Sequence, residues 1–338
     1  MIDVLVAGGG PAGLAAGVHA ALAGMEAVVV EPRAVPVDKA CGEGIMPSGV
    51  AALRAIGAPV DGHGLRGIRY LDARRSADAP FHGAPGLGVR RTVLHAALAR
   101  RARELGVRVV EGKVDGADQG EGWVAAAGLR ARWLIAADGL HSPLRRSLGL
   151  DLPDPAAPRR YGQRRHYRVR PWTDHVEVHW SPRGEAYVTP VDEDLVGVAV
   201  LSRERCGYAE HLARFPRLAP LLDARPATPV RGAGPMRQRV RGRVAGRVLL
   251  VGDAAGYVDA LTGEGIALAL ASADAAVRCL VRGRPEVYEG AWRRLSRRHR
   301  ALTCALLGLS GRAGTARLIV PAASVLPPVF RAAVRALQ

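Results

Sequence analysis

The chain has 338 residues, of which 49% are hydrophobic and 23% charged. This profile is typical of a globular protein with a sizeable core, and no apolar run reaches the ~20 residues of a membrane span. The net charge is +17, but lysine occurs only at Lys39 and Lys113 and the arginines are scattered. No aromatic residues interleave with them, as a nucleic-acid surface would require. We therefore predict no nucleic-acid partner and no stable membrane insertion.

The N-terminus leads directly into a predicted strand, without the basic and apolar segments of an export signal. The four cysteines lack the paired spacing of a metal site or a disulfide framework. We therefore predict a cytoplasmic protein with reduced cysteines and no bound metal.

A glycine-rich loop follows the first predicted strand and precedes a helix of small residues. Its G-x-G-x-x-G glycines are Gly8, Gly10 and Gly13. Gly8 permits a tight turn, Gly10 lets the backbone approach a pyrophosphate, and Gly13 allows close helix–strand packing. The helix N-terminus attracts the diphosphate, and Glu31, at the end of the next predicted strand, can accept hydrogen bonds from both ribose hydroxyls. This context predicts a dinucleotide site, and the acid disfavours NADP as the tightly held nucleotide.

Two later strands also end beside a carboxylate. Apolar runs predicted as strands lead into Asp138-Gly139 and into Gly252-Asp253. Ligands of open α/β sheets bind at the carboxyl ends of the strands, so both motifs are predicted to face the same ligand as the glycine loop. A helix predicted from Gly265 presents its N-terminus there and would stabilise negative charge on the ligand.

The segment between these two motifs is predicted to be an inserted β-sheet. A proline-rich stretch (Pro153, Pro155, Pro158) precedes strands separated by turn signals, at residues 163–169, 175–180, 185–191 and 195–201. The predicted fold class is therefore α/β, with a Rossmann-like dinucleotide-binding domain, an inserted β-sheet substrate domain and C-terminal helices. The predicted boundaries are residues 1–152 and 236–300 for the binding domain, 153–235 for the sheet, and 301–338 for the C-terminal helical segment.

Strand alternation places His175, Glu177 and His179 on one face of a predicted strand. A metal or acid–base cluster is one interpretation. No fourth ligand is evident, however, and a polar, solvent-facing strand surface is the preferred one.

The candidates for the wall of a substrate pocket lie on neighbouring strands. Tyr187 and Thr189 share one strand face, and His166 lies on the first strand of the inserted sheet. The aromatic fraction is only 4%, so we expect an aliphatic pocket and a partly lipophilic ligand.

The end of the chain is helical in pattern. Residues 329–337 form a short basic amphipathic stretch with Arg331 and Arg335. Such a stretch could contact an anionic membrane peripherally or cover a lipophilic substrate tunnel. Packing on the cofactor-binding domain is the preferred interpretation.

In this order, the motifs resemble those of the flavoprotein hydroxylase superfamily, that is, para-hydroxybenzoate hydroxylase-type monooxygenases and their geranylgeranyl reductase relatives. The resemblance extends from residue 2 to about residue 300. It is carried by Gly8, Gly10, Gly13, Glu31, Arg91, Asp138, Gly139, Ser142, Arg145, Gly252 and Asp253.

The resemblance implies FAD as the cofactor. It also implies that NADH or NADPH docks transiently as the electron donor, since no second Rossmann unit is visible. Glu31 and the glycine loop would bind the ADP part, and Asp253 the ribityl chain. The residues predicted to bind the cofactor are Gly8, Gly10, Pro11, Ala12, Gly13, Glu31, Pro32, Arg33, Cys41, Gly42, Glu43, Gly44, Arg91, Asp138, Gly139, Ser142, Gly252, Asp253, Gly263, Gly265 and Ile266.

Two runs are similar to the reductase branch, namely the Cys-Gly loop at residues 39–44 and the Thr-Gly-Glu-Gly run at residues 262–265. Cys41 could act as a redox or substrate-contacting thiol, but packing against the flavin is preferred because Lys39 is the only obvious cation beside it. The Trp-x-Trp-x-x-Pro signature of flavin-dependent halogenases is missing. Halogenation is therefore not expected.

The leading functional hypothesis is a monooxygenase that uses NAD(P)H and dioxygen to hydroxylate or epoxidise an aromatic or lipophilic small molecule. His166 is the candidate general base, needed only if the substrate is a phenol. The alternative is a reductase of prenyl or polyene double bonds, and a non-catalytic flavin-binding scaffold is a third. Product mass separates the first two, since one product gains oxygen and the other gains hydrogen.

Overall fold

The computed structural model describes residues 1–154, 159–222 and 225–337, so Pro155 and Pro158 of the proline-rich stretch lie outside the described residues. The strands are β1 Ile2–Ala7, β2 Ala27–Glu31, β3 Gly44–Ile45, β4 His63–Leu65, β5 Gly67–Leu71, β6 Ser76–Pro80, β7 Gly86–Gly88, β8 Arg108–Glu111, β9 Asp118–Gly120, β10 Trp123–Ala126, β11 Leu129–Ala136, β12 Tyr161–Arg168, β13 His175–Ser181, β14 Gly184–Asp192, β15 Leu195–Ser202, β16 Arg231–Ala233, β17 Val244–Ala245 and β18 Val248–Leu250. The helices are α1 Pro11–Leu22, α2 Pro47–Ala55, α3 Arg91–Glu104, α4 Pro143–Ser147, α5 Tyr208–Leu212, α6 Gly265–Val281, α7 Tyr288–Ser310, α8 Ala313–Ala316, α9 Ile319–Val325 and α10 Pro327–Arg335.

A mostly parallel sheet forms the first layer, and its strands run in the order β18–β11–β1–β2–β8. β1 and β2 are apolar and almost wholly buried, as strands covered on both faces must be. The chain moves outward from β1 through β2 to β8, and then returns to the other side of β1 as β11. This reversal beside β1 is the switch point where open α/β sheets bind ligands. The predicted α/β class is confirmed.

The second sheet has the order β16–β12–β15–β14–β13–β5–β6. Its strands β12 to β15 match the four predicted strands to within two residues at each end. The sheet also takes β5 and β6 from the segment before residue 152, and β5 pairs in parallel with β13. The pattern of the sequence did not indicate this pairing, and the domain boundaries stay a prediction.

The prediction of a solvent-facing surface on β13 is wrong for Glu177 and His179, whose exposed fractions are 3% and 5%. Glu177 accepts a hydrogen bond from the indole nitrogen of Trp172 at 3.1 Å and lies 3.2 Å from His179 Nε2. It pairs across the sheet with Val188, which packs with residues of α5 and the segment after it. This cover comes from a later part of the chain, so strand alternation could not reveal it.

The C-terminal helices α9 and α10 pack on β5 and β6. These strands lie within residues 1–152, the range predicted for the cofactor-binding domain, although they belong to the second sheet and not to the parallel one. Phe330 stacks against Tyr70 with ring centroids 4.5 Å apart, and Val320 and Val334 are buried in the same cluster. Within the described part of the chain, no single helix is long and apolar enough to cross a membrane. Two consecutive helical segments have the length and apolar composition of a span only when they are taken together. These are Gly314–Val325 and Pro327–Arg335, and the chain bends by 99° between them.

Candidate cofactor and substrate site

A cavity of about 570 Å³ lies at the switch point of the first sheet and extends to the second sheet. Most of the predicted cofactor contacts line it, namely Gly8, Gly10, Pro11, Ala12, Glu31, Pro32, Arg33, Cys41, Gly42, Glu43, Gly44, Arg91, Asp138, Gly139, Gly252, Asp253, Gly263, Gly265 and Ile266. Gly13 lies behind the lining, and Ser142 is buried as the N-cap of α4, where its hydroxyl accepts from Arg145 N. The roles of all these residues as ligand contacts stay predictions.

The glycine loop needs glycine for steric reasons at two positions. Gly8 has a φ of +99°, and a Cβ atom there would lie 2.5 Å from the carbonyl oxygen of Ala137. A Cβ atom at Gly13 would lie 1.8 Å from the carbonyl oxygen of Gly8. The N-terminus of α1 therefore packs directly on the end of β1, which holds its free N–H groups toward the cavity.

Glu31 ends β2 at the rim of the cavity and is almost fully buried. Its carboxylate accepts hydrogen bonds from Gly9 N at 2.7 Å and from Arg33 Nε at 2.6 Å. Burial alone would raise the pKa of Glu31, but these bonds outweigh it and hold the pKa below its ordinary value. The group is therefore ionised at neutral pH, and its remaining lone pairs can accept from ribose hydroxyls.

Three charged groups at the cavity have hydrogen-bonding atoms that no described residue satisfies. Arg91 Nε and Asp138 Oδ1 are buried without a hydrogen-bond partner in the described part of the chain, and the Asp253 carboxylate forms no hydrogen bond with the described residues. Burial raises the pKa of Asp253, while Lys39 and Arg91 oppose that shift. The other Asp138 oxygen accepts from Leu144 N at 3.1 Å. A guanidinium nitrogen without a partner beside the glycine loop suits a pyrophosphate, and carboxylate oxygens without partners suit sugar-like hydroxyls. These residues fit an FAD-type dinucleotide.

The second sheet supplies an aliphatic wall to the same cavity. Its apolar lining comes from Val176, Ala199, Leu201 and Met236. Both sequence candidates on β14 line the cavity: the Tyr187 hydroxyl donates to Leu261 O at 2.7 Å, and the Thr189 hydroxyl donates to Gly42 O at 2.7 Å. Thr189 thereby fixes the Cys-Gly loop against the wall.

Cys41 lines the cavity. It interacts electrostatically with Arg91, beside the glycine loop, and with Arg164 on β12. Its sulfur accepts a hydrogen bond from Glu43 N at 3.3 Å. Burial raises the pKa of the Cys41 thiol, and the partial compensation by Arg91 does not reverse the shift. The thiol therefore keeps its proton at neutral pH.

His166 does not line the cavity, unlike the other wall candidates; it lies buried behind Glu43. Its Nε2 is 2.6 Å from Glu43 Oε2, and its Nδ1 is 3.1 Å from Arg164 Nη1 and 3.0 Å from Thr228 Oγ1. Because an arginine can only donate, Nδ1 must accept, and the proton on Nε2 is donated to Glu43. The other Glu43 oxygen accepts from Arg91 N at 2.9 Å.

Sequence reasoning named Glu43 and His166 separately and missed Arg164 and Asp38. Arg164 is 1% exposed and donates to Asp38. Arg164 stands two residues before His166, so strand alternation could have placed both on one face. Nothing in the sequence indicates that Asp38 reaches this strand.

No family model matches the chain. It is 30% identical over 341 residues to the menaquinone reductase of Mycolicibacterium smegmatis, covering 88% of this chain and 81% of that protein. It is 31% identical to digeranylgeranylglycerophospholipid reductase 1 of Methanothermobacter thermautotrophicus, covering 78% and 73%. The chain belongs to the flavoprotein superfamily that includes the geranylgeranyl reductase relatives. It is an FAD-type oxidoreductase.

Solved structures similar to this flavoprotein include the flavin-dependent brominase Bmp2, with a TM-score of 0.84 and 17% identity over 99% of this chain and 93% of that one. The flavin-dependent halogenase CmlS gives a TM-score of 0.78 at 21% identity, covering 89% of this chain. The match between the two chains covers only 62% of the CmlS chain. At these identities the likeness shows the fold alone.

We expect Glu43→Gln to destabilise the flavoprotein. The side chain bridges two donors, Arg91 N and His166 Nε2, and a neutral amide can accept from only one of them. The amide N–H₂ of the glutamine would then face the other donor. This unsatisfied contact should lower the free energy of unfolding by about 1–3 kcal/mol, measured by urea denaturation with FAD bound.

The matched control separates this network from backbone strain. Glu43 has a φ of +61°, and Ala127 also has a positive φ, of +49°. Ala127→Gly relieves such strain without removing a hydrogen bond, so it should leave the free energy of unfolding unchanged or higher. If Glu43→Gln has the same free energy of unfolding as the wild type, the hydrogen bonds of Glu43 do not stabilise the fold as proposed.

Proposed function

We propose that this flavoprotein reduces carbon–carbon double bonds in the isoprenoid chain of a lipid. The observation that carries the proposal is that aliphatic side chains, Val176, Leu201 and Met236, and the Cys41 thiol line one cavity. The names of the relatives, menaquinone reductase and digeranylgeranylglycerophospholipid reductase, support a reductase that acts on a lipid with an isoprenoid part. Bound FAD, reduced by NADH or NADPH, would supply the hydride.

The wall of the cavity suits a flexible hydrocarbon chain. Met236, Leu201 and Val176 offer aliphatic contact without a polar group that a substrate must match. The Tyr187 hydroxyl is already used as a donor to Leu261 O. Burial of isoprene units here would therefore supply binding free energy at roughly 25 cal/mol per Å² of apolar surface removed from water.

The residues of the chain would provide the proton that completes the reduction. Adding hydrogen across a double bond requires one hydride and one proton on adjacent carbons. The Cys41 thiol holds a proton inside the cavity, and Arg91 and Arg164 lie close enough to stabilise the thiolate left behind. Solvent would then return a proton to the sulfur.

The position of His166 argues against the phenol hydroxylation predicted from the sequence. A general base must reach the substrate hydroxyl directly or through one water. His166 is 1% exposed, and both of its ring nitrogens are used by Glu43, Thr228 and Arg164. Epoxidation needs no such base, so product analysis must separate it from reduction.

The test is anaerobic and aerobic turnover of the FAD-loaded protein with NADH or NADPH, with menaquinone, a geranylgeranyl lipid and an alkylphenol as substrates. We expect a prenyl product that gains two hydrogen atoms and forms equally fast without dioxygen. A product that gains one oxygen atom, and only in air, would instead establish the monooxygenase. If neither NADH nor NADPH bleaches the bound flavin, then neither the double-bond reduction nor the monooxygenation is driven by these donors.

A further inference from the structure

The outer surface of the C-terminal helices is apolar where it faces water. At the bend between α9 and α10, Val325, Leu326 and Val329 are 75%, 53% and 63% exposed, and Leu318 just before α9 is 60% exposed. The opposite side of the same helices is buried against β5 and β6. We call the four exposed side chains the apolar bend. A polar outer face would be normal for packed helices, so the apolar bend is a candidate contact surface.

The C-terminal segment that carries the apolar bend has charges of one sign only. Residues 290–338 contain nine arginines and no aspartate or glutamate. Arg317 precedes the bend directly, and Arg331 follows it on α10; both are exposed. An apolar face flanked by arginines is the pattern of helices that lie in the plane of a membrane interface.

A basic cavity adjoins the bend. Its volume is about 690 Å³, and its charged lining is five arginines and one acid. These are Arg74, Arg75, Arg214, Arg217, Arg317 and Asp72, with Val320 of α9 beside them. Arg214 Nη1 is buried without a hydrogen-bond partner in the described residues. Its other terminal nitrogen, Nη2, pairs with Glu204 at 2.6 Å. An excess of guanidinium groups over carboxylates in one cavity suits phosphate oxygens.

The helices of the bend also connect to the wall of the substrate cavity. Ile319 and Phe330, on their inner side, belong to one hydrophobic cluster with Val176, Leu201 and Met236, which line that cavity. The helices that carry the apolar bend are therefore linked to the cavity wall through one hydrophobic cluster.

We propose that the apolar bend docks this protein on the surface of an anionic lipid bilayer, with the basic cavity contacting lipid phosphates. The charge favours lipid over a second copy of the chain. A two-fold interface would bring the arginines of both copies together, with no acid in residues 290–338 to neutralise them. The docking does not depend on which reaction the cavity supports, so it stands or falls separately from the proposed reduction.

The test is co-sedimentation of the FAD-loaded protein with vesicles. One set is phosphatidylcholine alone, and the other is phosphatidylcholine and phosphatidylglycerol in equal parts. We expect binding to the anionic vesicles that weakens as salt is added. The double variant Val325→Glu with Val329→Glu should lower the partition coefficient at least tenfold, and Arg317→Glu roughly fivefold.

Matched surface changes serve as controls. Val281→Glu replaces another exposed valine, and Arg103→Glu another exposed arginine; both should bind vesicles as the wild type does. The absorbance of bound flavin reports that each variant is folded. Equal partitioning of the bend variants and the wild type would overturn the proposal. So would a wild-type dimer that the bend variants convert to monomers in sedimentation, without any change in vesicle binding.

Discussion

Replacing Gly13 with alanine is expected to give a protein that no longer retains FAD. The new Cβ atom would lie 1.8 Å from the carbonyl oxygen of Gly8, far below van der Waals contact. The carbonyl belongs to the backbone, and the backbone also fixes the position of a Cβ atom, so no side-chain rotation relieves the overlap. The start of α1 must move away from β1 and take its N–H groups out of line with the pyrophosphate. A hydrogen bond from an N–H group to a charged phosphate contributes about 1.5–3 kcal/mol. Losing two of these bonds should weaken the FAD affinity at least roughly 100-fold.

The measurement is equilibrium titration of FAD into the apoprotein, followed by flavin fluorescence. Gly308→Ala is the control, because this glycine is also helical and a Cβ atom there meets nothing within 4 Å. It should keep wild-type affinity and gain about 0.5–1 kcal/mol of stability. A wild-type circular dichroism spectrum of the Gly13→Ala apoprotein guards against simple misfolding. Unchanged affinity of Gly13→Ala would show that the loop is not the phosphate cradle.

The parts of this fold that the sequence predicts are those set by neighbours along the chain. Gly8, Gly13 and Glu31 lie within one strand–loop–helix–strand unit, and their spacing alone implies the turn, the helix start and the acid. Alternation and turn residues likewise define β12 to β15. Local backbone physics constrains both features, and the structure reproduces them.

The parts that the sequence does not predict depend on contacts between distant segments. Glu43 and His166 are 123 residues apart, and their hydrogen bond exists because β12 passes behind the Cys-Gly loop. Glu177 is buried because a later helix covers its strand. β5 joins β13 because of the parallel register between Gly67 and His175. No periodicity records such pairings, since each segment is compatible with several neighbours.

Replacing Cys41 with alanine is expected to lower kcat for double-bond reduction by about 10²–10⁴, the usual contribution of a positioned general acid. The FAD content should stay at the wild-type level, because Asp253, Arg91 and the glycine loop are untouched. Cys304→Ala is the control, as this thiol is exposed on α7, and it should keep full activity. A Cys41→Ala protein with wild-type kcat would show that the proton comes from another group.

The pH profile distinguishes proton donation from packing. Burial raises the pKa of Cys41 above the ordinary thiol value of 9.0, and a general acid is active only while protonated. Activity should therefore be flat through neutral pH and fall on the alkaline side only as pH passes that raised pKa. Cys41→Ser keeps the size of the side chain but does not ionise in this range, so its lower activity should show no such fall. If Cys41 only packed against the cofactor, serine would restore most of the activity and the alkaline fall would persist.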